Sequence, residues 1–266
     1  MIPPVVDSYI AGESPRDAVE RASYLERRGV TALLNRLGEH HEDEAAVEAD
    51  VEEYVELVGL LDRADVTAAL SPKPTQIGLD VSRELFEDSL DRLLAAAREA
   101  DVFVWLDMED TSTTDATLEA VVERERPDLG VCLQANLRRT DDDLRRLADH
   151  PGAVRFVKGA YSPSRDVAYR GDDVERAFRE LVDFALSGEF EPSVALGTHD
   201  LDLVRYAERV SSREFEVQML MGVREGDLFE MAGERPVAQY VPYGSEWMSY
   251  FYRRLRENRR GWRLAA

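Results

Sequence analysis

Cysteine and long apolar runs are scarce in this sequence. Cys132 is the only cysteine, which excludes an internal disulfide framework and a zinc site built from several cysteines. No apolar stretch approaches the ~20 residues that a membrane-spanning helix needs. The opening MIPPVVDSYI also lacks the basic start and apolar run of a signal peptide. We therefore expect a soluble, cytoplasmic protein.

Lysine is also nearly absent: Lys73 and Lys158 are the only two, and arginine supplies the other basic side chains. With 54 acidic residues against 33 lysines and arginines, the formal net charge is −21. A field of this sign repels phosphate backbones, which argues against a nucleic-acid partner. An acidic, lysine-poor composition is what a salt-rich cytoplasm would select, because salt screens repulsion among carboxylates. We predict a halophilic host.

Short apolar runs typical of strands alternate along the chain with acidic, alanine- and leucine-rich amphipathic segments typical of helices. The predicted strands are Val30–Leu37, Asp65–Lys73, Val102–Glu109, Gly130–Leu137, Val154–Tyr161, Ser193–His199, Phe215–Gly222 and Val237–Tyr243. The predicted helices that follow them are Asp43–Leu61, Asp80–Ala100, Thr114–Glu125, Asp141–Asp149, Asp173–Ser187, Leu201–Ser211, Glu225–Met231 and Glu246–Asn258.

This alternation predicts an α/β fold. A further helix, Ser14–Arg28, precedes the first strand, with Ser14 as its N-cap and Pro15 at its first position. The strand–helix pairs recur about every 25–35 residues, which suits the ~250 residues of a (β/α)8 barrel. A doubly wound open sheet is the competing fold, but no G-x-G-x-x-G motif occurs. We predict one domain over residues 1–266, a (β/α)8 TIM barrel with one extra N-terminal helix.

Strand alternation also predicts which side chains face the barrel axis. In the third strand, Phe103, Trp105 and Asp107 share one side, and the opposite side is aliphatic. Polar side chains of this kind gather toward the C-terminal ends of the strands, which form the catalytic face of a closed barrel. Because buried polar groups are costly without partners, we expect them to serve each other or a ligand. They are Lys73, Asp107, Gln134, Arg155, Thr198 and Gln218.

Taken singly, these residues have simpler interpretations. Lys73 and Asp107 could form a structural ion pair, and Arg155 could merely fill the barrel interior. His199 with neighbouring carboxylates could be the metal site of a hydrolase, although only Asp107 among those carboxylates is clearly aimed inward. Cys132 is expected to be a small buried hydrophobe. We predict no bound metal.

The segment 240–257 starts as a strand, breaks at a proline and a glycine, and then continues as a predicted helix. On that helix Tyr250, Arg253 and Arg254 share one flank, because they lie three to four residues apart. Two adjacent guanidiniums beside aromatic rings can hold a small carboxylate through both of its oxygens. The simpler interpretation is an amphipathic helix with solvated arginines.

Along the predicted strands lie, in order, the segments SPKPTQIG, LDMED, LQANL, VRFVKGAY, GTHD, EVQMLMG and YVPYGSEWMSYFYRRLREN. Together they resemble the signatures of the proline dehydrogenase family, and the resemblance covers nearly the whole chain. It implies a (β/α)8 barrel that binds FAD without a covalent link. It also implies oxidation of L-proline to Δ1-pyrroline-5-carboxylate, with the electrons passed to a membrane quinone.

The same resemblance implies roles for individual residues. Arg253 and Arg254 would hold the proline carboxylate, with Lys73 as a third cation and Asp107 orienting the cluster. Arg155 would lie near the flavin N5 atom. The residues that would wall the pyrrolidine ring are Tyr161, Leu220, Tyr240 and Tyr250. The remaining cofactor contacts would be Gln134, Val157, Lys158, Gly159, Ala160, Thr198, His199, Glu216 and Gln218.

The sequence departs from the family in two of these segments. THD stands where many members have THN, so Asp200 puts an added negative charge near the expected phosphates. SPKPTQIG differs around its lysine, although Lys73 itself is present.

The resemblance also sets expectations about partners. No aldehyde dehydrogenase module is present in the sequence, so we expect a separate pyrroline-5-carboxylate dehydrogenase to act downstream. Transfer of electrons to a quinone implies peripheral contact with the inner face of the cell membrane, which the acidic surface would confine to a local, apolar patch.

Other function classes remain open at this point. One is a different barrel enzyme, either a metal-dependent hydrolase or a folate-type flavin reductase. Another is a barrel that kept the fold without the chemistry.

Overall fold

A computed structural model of the chain describes residues 8–160, 163–187 and 190–248. Within these ranges the parallel strands close into a barrel in the order β1 to β8, and helices alternate with them. This confirms the predicted (β/α)8 barrel with an extra N-terminal helix, while most of the predicted last helix, Glu246–Asn258, lies outside the described residues. The strands are β1 (Thr31–Arg36), β2 (Ala68–Leu70), β3 (Phe103–Leu106), β4 (Leu129–Gln134), β5 (Ala153–Val157), β6 (Ser193–Gly197), β7 (Glu216–Leu220) and β8 (Val237–Tyr243). The helices are α1 (Pro15–Glu26), α2 (Glu44–Ala64), α3 (Arg83–Glu99), α4 (Thr114–Val122), α5 (Thr140–Arg146), α6 (Asp172–Ala185), α7 (Leu201–Val210) and α8 (Glu225–Met231).

The extra helix α1 begins where the sequence predicts. The Ser14 side chain accepts a hydrogen bond from the Asp17 backbone N–H, and the Asp17 carboxylate accepts one from the Ser14 N–H at 2.9 Å. Two N–H groups that the helix leaves without partners are thereby satisfied. The buried face of α1 packs against α2, β1 and β8, so this helix covers the place where the barrel closes.

Strand β2 is much shorter than predicted, and its neighbouring residues explain the difference. The sequence predicts a strand over Asp65–Lys73, whereas the ladder covers only Ala68–Leu70. Asp65 has a φ of 52° and ends α2, so it cannot begin a strand. At the other end, Pro72 has no N–H with which to continue the ladder. The residues after β2 are therefore free to form a loop at the C-terminal mouth of the barrel.

Alanine and leucine side chains pack around the Trp105 ring inside the barrel. Leu33, Ala69, Ala153, Ala195 and Ala238 form the interior cluster together with Trp105. On β4, a Cβ added at Gly130 would lie 2.7 Å from the Trp105 ring. The indole thus occupies space that neighbouring strands leave by carrying small residues, and a cavity remains at each end of the barrel.

The packing around Trp105 predicts the effect of adding one methyl group. We expect Gly130→Ala to lower the free energy of unfolding by about 1–3 kcal/mol, because the added Cβ would lie 2.7 Å from the indole ring and 3.0 Å from the Ala153 carbonyl oxygen, so the packing must shift. The control is Gly226→Ala in α8, where an added Cβ meets nothing within 4 Å. That change is expected to be neutral or to stabilise by up to about 1 kcal/mol. Denaturant unfolding measures both, and equal effects would contradict the tight contact.

Candidate active site

A cavity of about 450 Å³ lies at the C-terminal ends of the strands, where a (β/α)8 barrel places its chemistry. Eleven of the predicted site residues line it. Those predicted to act on the substrate are Asp107, Leu220 and Tyr240. Those predicted to bind the cofactor are Gln134, Arg155, Val157, Lys158, Gly159, Ala160, His199 and Gln218.

The floor of the cavity is a buried ion pair between Arg155 on β5 and Asp107, the residue that follows β3. The Arg155 side chain is 5% exposed, and its Nη2 atom contacts Asp107 Oδ1 directly. The guanidinium also lies 5.2 Å from the Trp105 ring centroid. Burial lowers the pKa of Arg155, but Asp107 and its other neighbours raise it more, so the group stays charged.

Two hydroxyl groups also donate hydrogen bonds to the Asp107 carboxylate. The Ser71 Oγ donates to Asp107 Oδ1 at 2.7 Å, and the Tyr240 hydroxyl donates to Oδ2 at 2.8 Å. Burial and the adjacent carboxylate both hold the pKa of Tyr240 well above its usual range, so the phenol remains a neutral donor. A carboxylate with this many donors is satisfied although it lies inside the barrel.

One donor in this cluster is left over. The Nε atom of Arg155 is buried and has no hydrogen-bond partner among the described residues. Nearby, the Gln134 side chain donates from Nε2 to the Glu109 carbonyl at 2.7 Å, which leaves its Oε1 atom as the acceptor. The cavity therefore offers a cationic donor and an amide acceptor to a ligand, beside the apolar side chains of Val157 and Leu220.

The negative charge of the THD segment is neutralised locally. The Asp200 carboxylate accepts a hydrogen bond from Lys158 Nζ at 2.7 Å and caps α7 through the Asp202 N–H. Burial raises the pKa of Asp200, but the hydrogen bond and charge of Lys158 outweigh it, so the net pKa lies below the usual value. The charge that the sequence predicted near the phosphates is thus balanced by the adjacent lysine.

His199 takes part in a structural hydrogen bond at the cavity wall. Its Nε2 atom accepts from the Leu220 backbone N–H at 2.9 Å, so the proton of the neutral ring lies on Nδ1. In residues 8–160, 163–187 and 190–248, no three His, Cys, Asp or Glu side chains come together in a way that could hold a metal. The hydrolase-type metal site considered from the sequence therefore finds no support in this part of the chain.

Three predicted site residues do not line the cavity. The Lys73 Nζ atom lies 3.4 Å from the Gly38 carbonyl and 3.9 Å from Glu39 Oε2, so it contacts the loop after β1. The hydroxyl of Thr198 accepts from the Asp200 N–H at 3.1 Å. Glu216 lines the cavity at the opposite, N-terminal end of the barrel.

The considered ion pair between Lys73 and Asp107 is therefore wrong, because Arg155 occupies that position. Four further predicted residues lie outside the described part of the chain: Tyr161, Tyr250, Arg253 and Arg254.

Sequence reasoning missed several residues that shape the site. Ser71 bridges the ion pair, since its Oγ donates to Asp107 and accepts from Arg155 Nη2 at 3.3 Å. Ser71 and Lys73 are two residues apart, so alternation along a strand would put them on the same side, and this is the signal the sequence offers for Ser71. Cys132 was expected only to fill space, yet it lines the cavity beside Arg155. The other unpredicted lining residues are Met108, Gly197 and Met219.

Removing the carboxylate of the central ion pair should leave a buried cation without its counter-charge. We expect Asp107→Asn to lower the free energy of unfolding by about 3–5 kcal/mol in the ligand-free protein. The matched control is Asp141→Asn, which breaks an exposed pair with Arg145 of 3.0 Å and should cost less than about 1 kcal/mol. Urea unfolding of both variants tests this, and equal losses would show that the ion pair does not stabilise the barrel.

The fold and the site together define a class of protein. A closed (β/α)8 barrel with a buried cation, a free donor and an apolar wall at its C-terminal mouth is an enzyme scaffold built to bind a largely apolar ligand with polar edges.

Comparison with known proteins gives the family. The sequence profile described as proline dehydrogenase matches residues 18–261. Proline dehydrogenase 1 of Bacillus subtilis (strain 168) is 35% identical over 262 residues, which cover 94% of this chain and 85% of that protein. Proline dehydrogenase of Deinococcus radiodurans is 32% identical over 271 residues, which cover 96% of this chain and 87% of that protein. The chain belongs to the proline dehydrogenase family, and its activity is the oxidation of proline, the first step of proline catabolism.

Solved structures show the same fold. Proline utilization A from Bdellovibrio bacteriovorus, inactivated by N-propargylglycine, matches with a TM-score of 0.85 and 24% identity. Proline utilization A from Bradyrhizobium japonicum, a D778Y variant, matches with a TM-score of 0.76 and 21% identity. Each match covers at least 95% of this chain but only about a third, 32% and 31%, of the longer protein. No helix in the described part of the chain is long and apolar enough to cross a membrane.

Proposed function

We propose that the chain oxidises L-proline to Δ1-pyrroline-5-carboxylate with non-covalently bound FAD as the hydride acceptor. Family membership supports the reaction, and one observation supports the cofactor. Arg155 is a buried cation at the floor of the cavity, and its Nε donor has no partner in the described residues. A buried donor without a partner is costly, which argues for a ligand that accepts from it.

The residues present fit a flavin ring. Arg155 would lie near N5, and Gln134 would accept from an N–H at the polar edge of the ring. Val157 would pack against its apolar part. The segment Lys158–Ala160 and His199 would line the rest of the cofactor, and Lys158 would be the cation nearest its phosphates.

Gly159 in this segment has a physical reason of its own. Its φ is 110°, and an added Cβ would lie 2.3 Å from the Asn136 Oδ1 atom. Only glycine therefore allows the chain after β5 to turn here along the cavity wall.

The reaction asks little of acid–base groups. Bound FAD would supply the hydride acceptor for the ring carbon beside the proline nitrogen; that nitrogen would give up a proton as the C=N bond forms. The chain's own residues position the substrate and shape the field. The Arg155 cation favours negative charge close to it, and Asp107 limits that effect. Tyr240 and Leu220, which line the cavity, would offer apolar contact to the methylene groups of the pyrrolidine ring.

The remaining roles rest on the family resemblance. Arg253 and Arg254 would hold the substrate carboxylate, and Tyr161 and Tyr250 would help to wall its ring. Lys73 would add a third cation from the loop after β2. We also propose a quinone as the electron acceptor, reached by peripheral contact with the membrane, and a pyrroline-5-carboxylate dehydrogenase as the enzyme that acts next on the product.

A direct test uses the colour of the bound flavin. The purified protein loaded with FAD is expected to be yellow and to bleach under anaerobic conditions when L-proline is added, because the substrate reduces the flavin. Visible absorbance follows the change. Bleaching by NADH and not by proline would indicate a folate-type reductase. Bound FAD that neither compound reduces would indicate a barrel without the proposed chemistry.

The carboxylate clamp can be tested separately. We expect Arg254→Met to raise the KM for proline at least about 100-fold and to leave FAD bound, because a buried carboxylate loses its charged partner at a cost of about 3–5 kcal/mol. Arg256→Met is the control, since the helix predicted from the sequence would put residue 256 off the flank shared by Tyr250, Arg253 and Arg254. Steady-state kinetics with flavin quantification measures both. An unchanged KM in Arg254→Met would remove this arginine from the substrate site.

A further inference from the structure

A second cavity, of about 250 Å³, lies at the N-terminal end of the barrel. Its walls include Phe103, Trp105 and several alanines, and Glu216 at the start of β7 is among the residues that line it. A carboxylate in such apolar surroundings is unfavourable unless it is hydrogen-bonded or paired with a charge. Family resemblance placed Glu216 among the cofactor contacts, but it lines the cavity at the opposite end of the strands from the proposed flavin.

A continuous chain of hydrogen bonds connects Glu216 to the active site. Gln218 Nε2 donates to Glu216 Oε1 at 2.6 Å, and Gln218 Oε1 accepts from Arg155 Nη1 at 3.2 Å. Arg155 then contacts Asp107, which accepts from the Tyr240 hydroxyl at 2.8 Å. The chain runs through the barrel interior from one cavity to the other.

Arg155 and Glu216, which lie on either side of Gln218, together fix the orientation of the Gln218 amide. A guanidinium can only donate hydrogen bonds, and a carboxylate can only accept them. The Gln218 amide therefore fits in one orientation, with its oxygen toward Arg155 and its nitrogen toward Glu216. With the nitrogen turned toward Arg155, two donors would face each other. Without Glu216, the amide nitrogen loses its acceptor, and Arg155 alone is left to hold the amide in this orientation.

The electrostatics of Glu216 agree with this arrangement. Burial raises the pKa of its carboxyl group, and the hydrogen bond from Gln218 and the charge of Arg155 counteract that effect in part. The carboxyl group is thus coupled to the site through Gln218 and Arg155, although it lies at the far end of the barrel.

We propose that Glu216 is a positioning residue for Arg155, which it holds in place against Asp107 and the active-site cavity by orienting the Gln218 amide. The inference rests on the proposed function, because its kinetic consequence is the rate at which proline reduces the flavin. Its geometric consequence can be measured without cofactor or substrate.

A double-mutant cycle tests whether Glu216 acts through Gln218. We expect Glu216→Ala and Gln218→Ala each to slow anaerobic flavin reduction by about 10-fold, with the KM for proline within about 2-fold of the parent value. The double variant should be no slower than Gln218→Ala alone, because one chain is broken in both. Multiplication of the two losses would overturn the proposal.

Two further variants distinguish a positioning role of Glu216 from an effect of its negative charge. Glu216→Gln keeps an acceptor for Gln218 and should recover most of the rate that Glu216→Ala loses. Asp101→Asn is the control, because Asp101 lines the same N-terminal cavity and takes no part in the chain. We expect its rate to equal that of the parent. A rate for Glu216→Gln as low as that of Glu216→Ala would also count against a positioning role.

Cys132 provides a readout that needs neither FAD nor proline. It is the single cysteine of the chain, and Cys132 and Arg155 are paired residues on β4 and β5. Burial raises the pKa of its thiol, Arg155 lowers it, and Asp107 raises it further. Displacement of the guanidinium should therefore increase the apparent pKa of the thiol, which the pH profile of iodoacetamide alkylation measures in the FAD-free full chain.

We expect a higher apparent thiol pKa in Glu216→Ala and Gln218→Ala, and the parent value in Asp101→Asn and Glu216→Gln. An unchanged thiol pKa in Glu216→Ala would show that Arg155 has not moved, and the proposal would fail. The two proposals fail in different ways. If proline reduces no variant, including the parent, while the thiol pKa shifts as expected, the proposed reaction fails and the positioning of Arg155 stands.

Discussion

A single buried ion pair, Arg155 with Asp107, organises the interior of this barrel. A guanidinium inside a closed sheet is tolerated only when its charge and its N–H groups find partners. Here β3 ends at the carboxylate, β7 supplies the Gln218 amide, and Ser71 after β2 bridges the two charges. The small residues around Trp105 leave room for the indole ring under the guanidinium. Most features of the candidate site are consequences of accommodating this one cation.

The same pairing limits what the described residues can do for a substrate carboxylate. Arg155 is balanced by Asp107, Lys158 by Asp200, and Lys73 lies within ion-pair distance of Glu39. Within the described ranges, each of these three cations at the C-terminal mouth therefore has an anion beside it. An anionic substrate would need additional positive charge, and the arginines of the segment after β8 are where the family resemblance puts it. This charge distribution agrees with our proposal that the floor of the cavity binds the cofactor and that Arg253 and Arg254 hold the substrate carboxylate.

Sequence reasoning succeeded where the physics is local and periodic. Alternation along β3 and β7 correctly put Trp105, Asp107 and Gln218 inside the barrel, because side chains of a strand point to opposite faces in turn. It failed for contacts across the interior. Lys73 and Asp107 come from neighbouring strands and were paired on that ground, whereas the observed partner of Asp107 comes from β5, two strands beyond β3. Which side chains meet across a closed barrel depends on the position of each residue along the barrel axis and on the size of its side chain. The alternation of residues along a single strand does not determine these contacts. The predictions for a halophilic host and for the arginine clamp remain predictions.

The scarcity of lysine has a practical consequence. Lys73 and Lys158 are the only side-chain amines of the protein; Lys158 lines the active-site cavity, and Lys73 lies in the loop beyond the end of β2. On most proteins, reagents that acylate or cross-link primary amines react mainly with lysines far from the site, because lysine is a common surface residue. Here the same reagents would find their side-chain targets at the entrance to the active site. Attachment of this enzyme to a support through its lysines would therefore place the support against the C-terminal mouth of the barrel. Coupling through carboxylates suits the enzyme better.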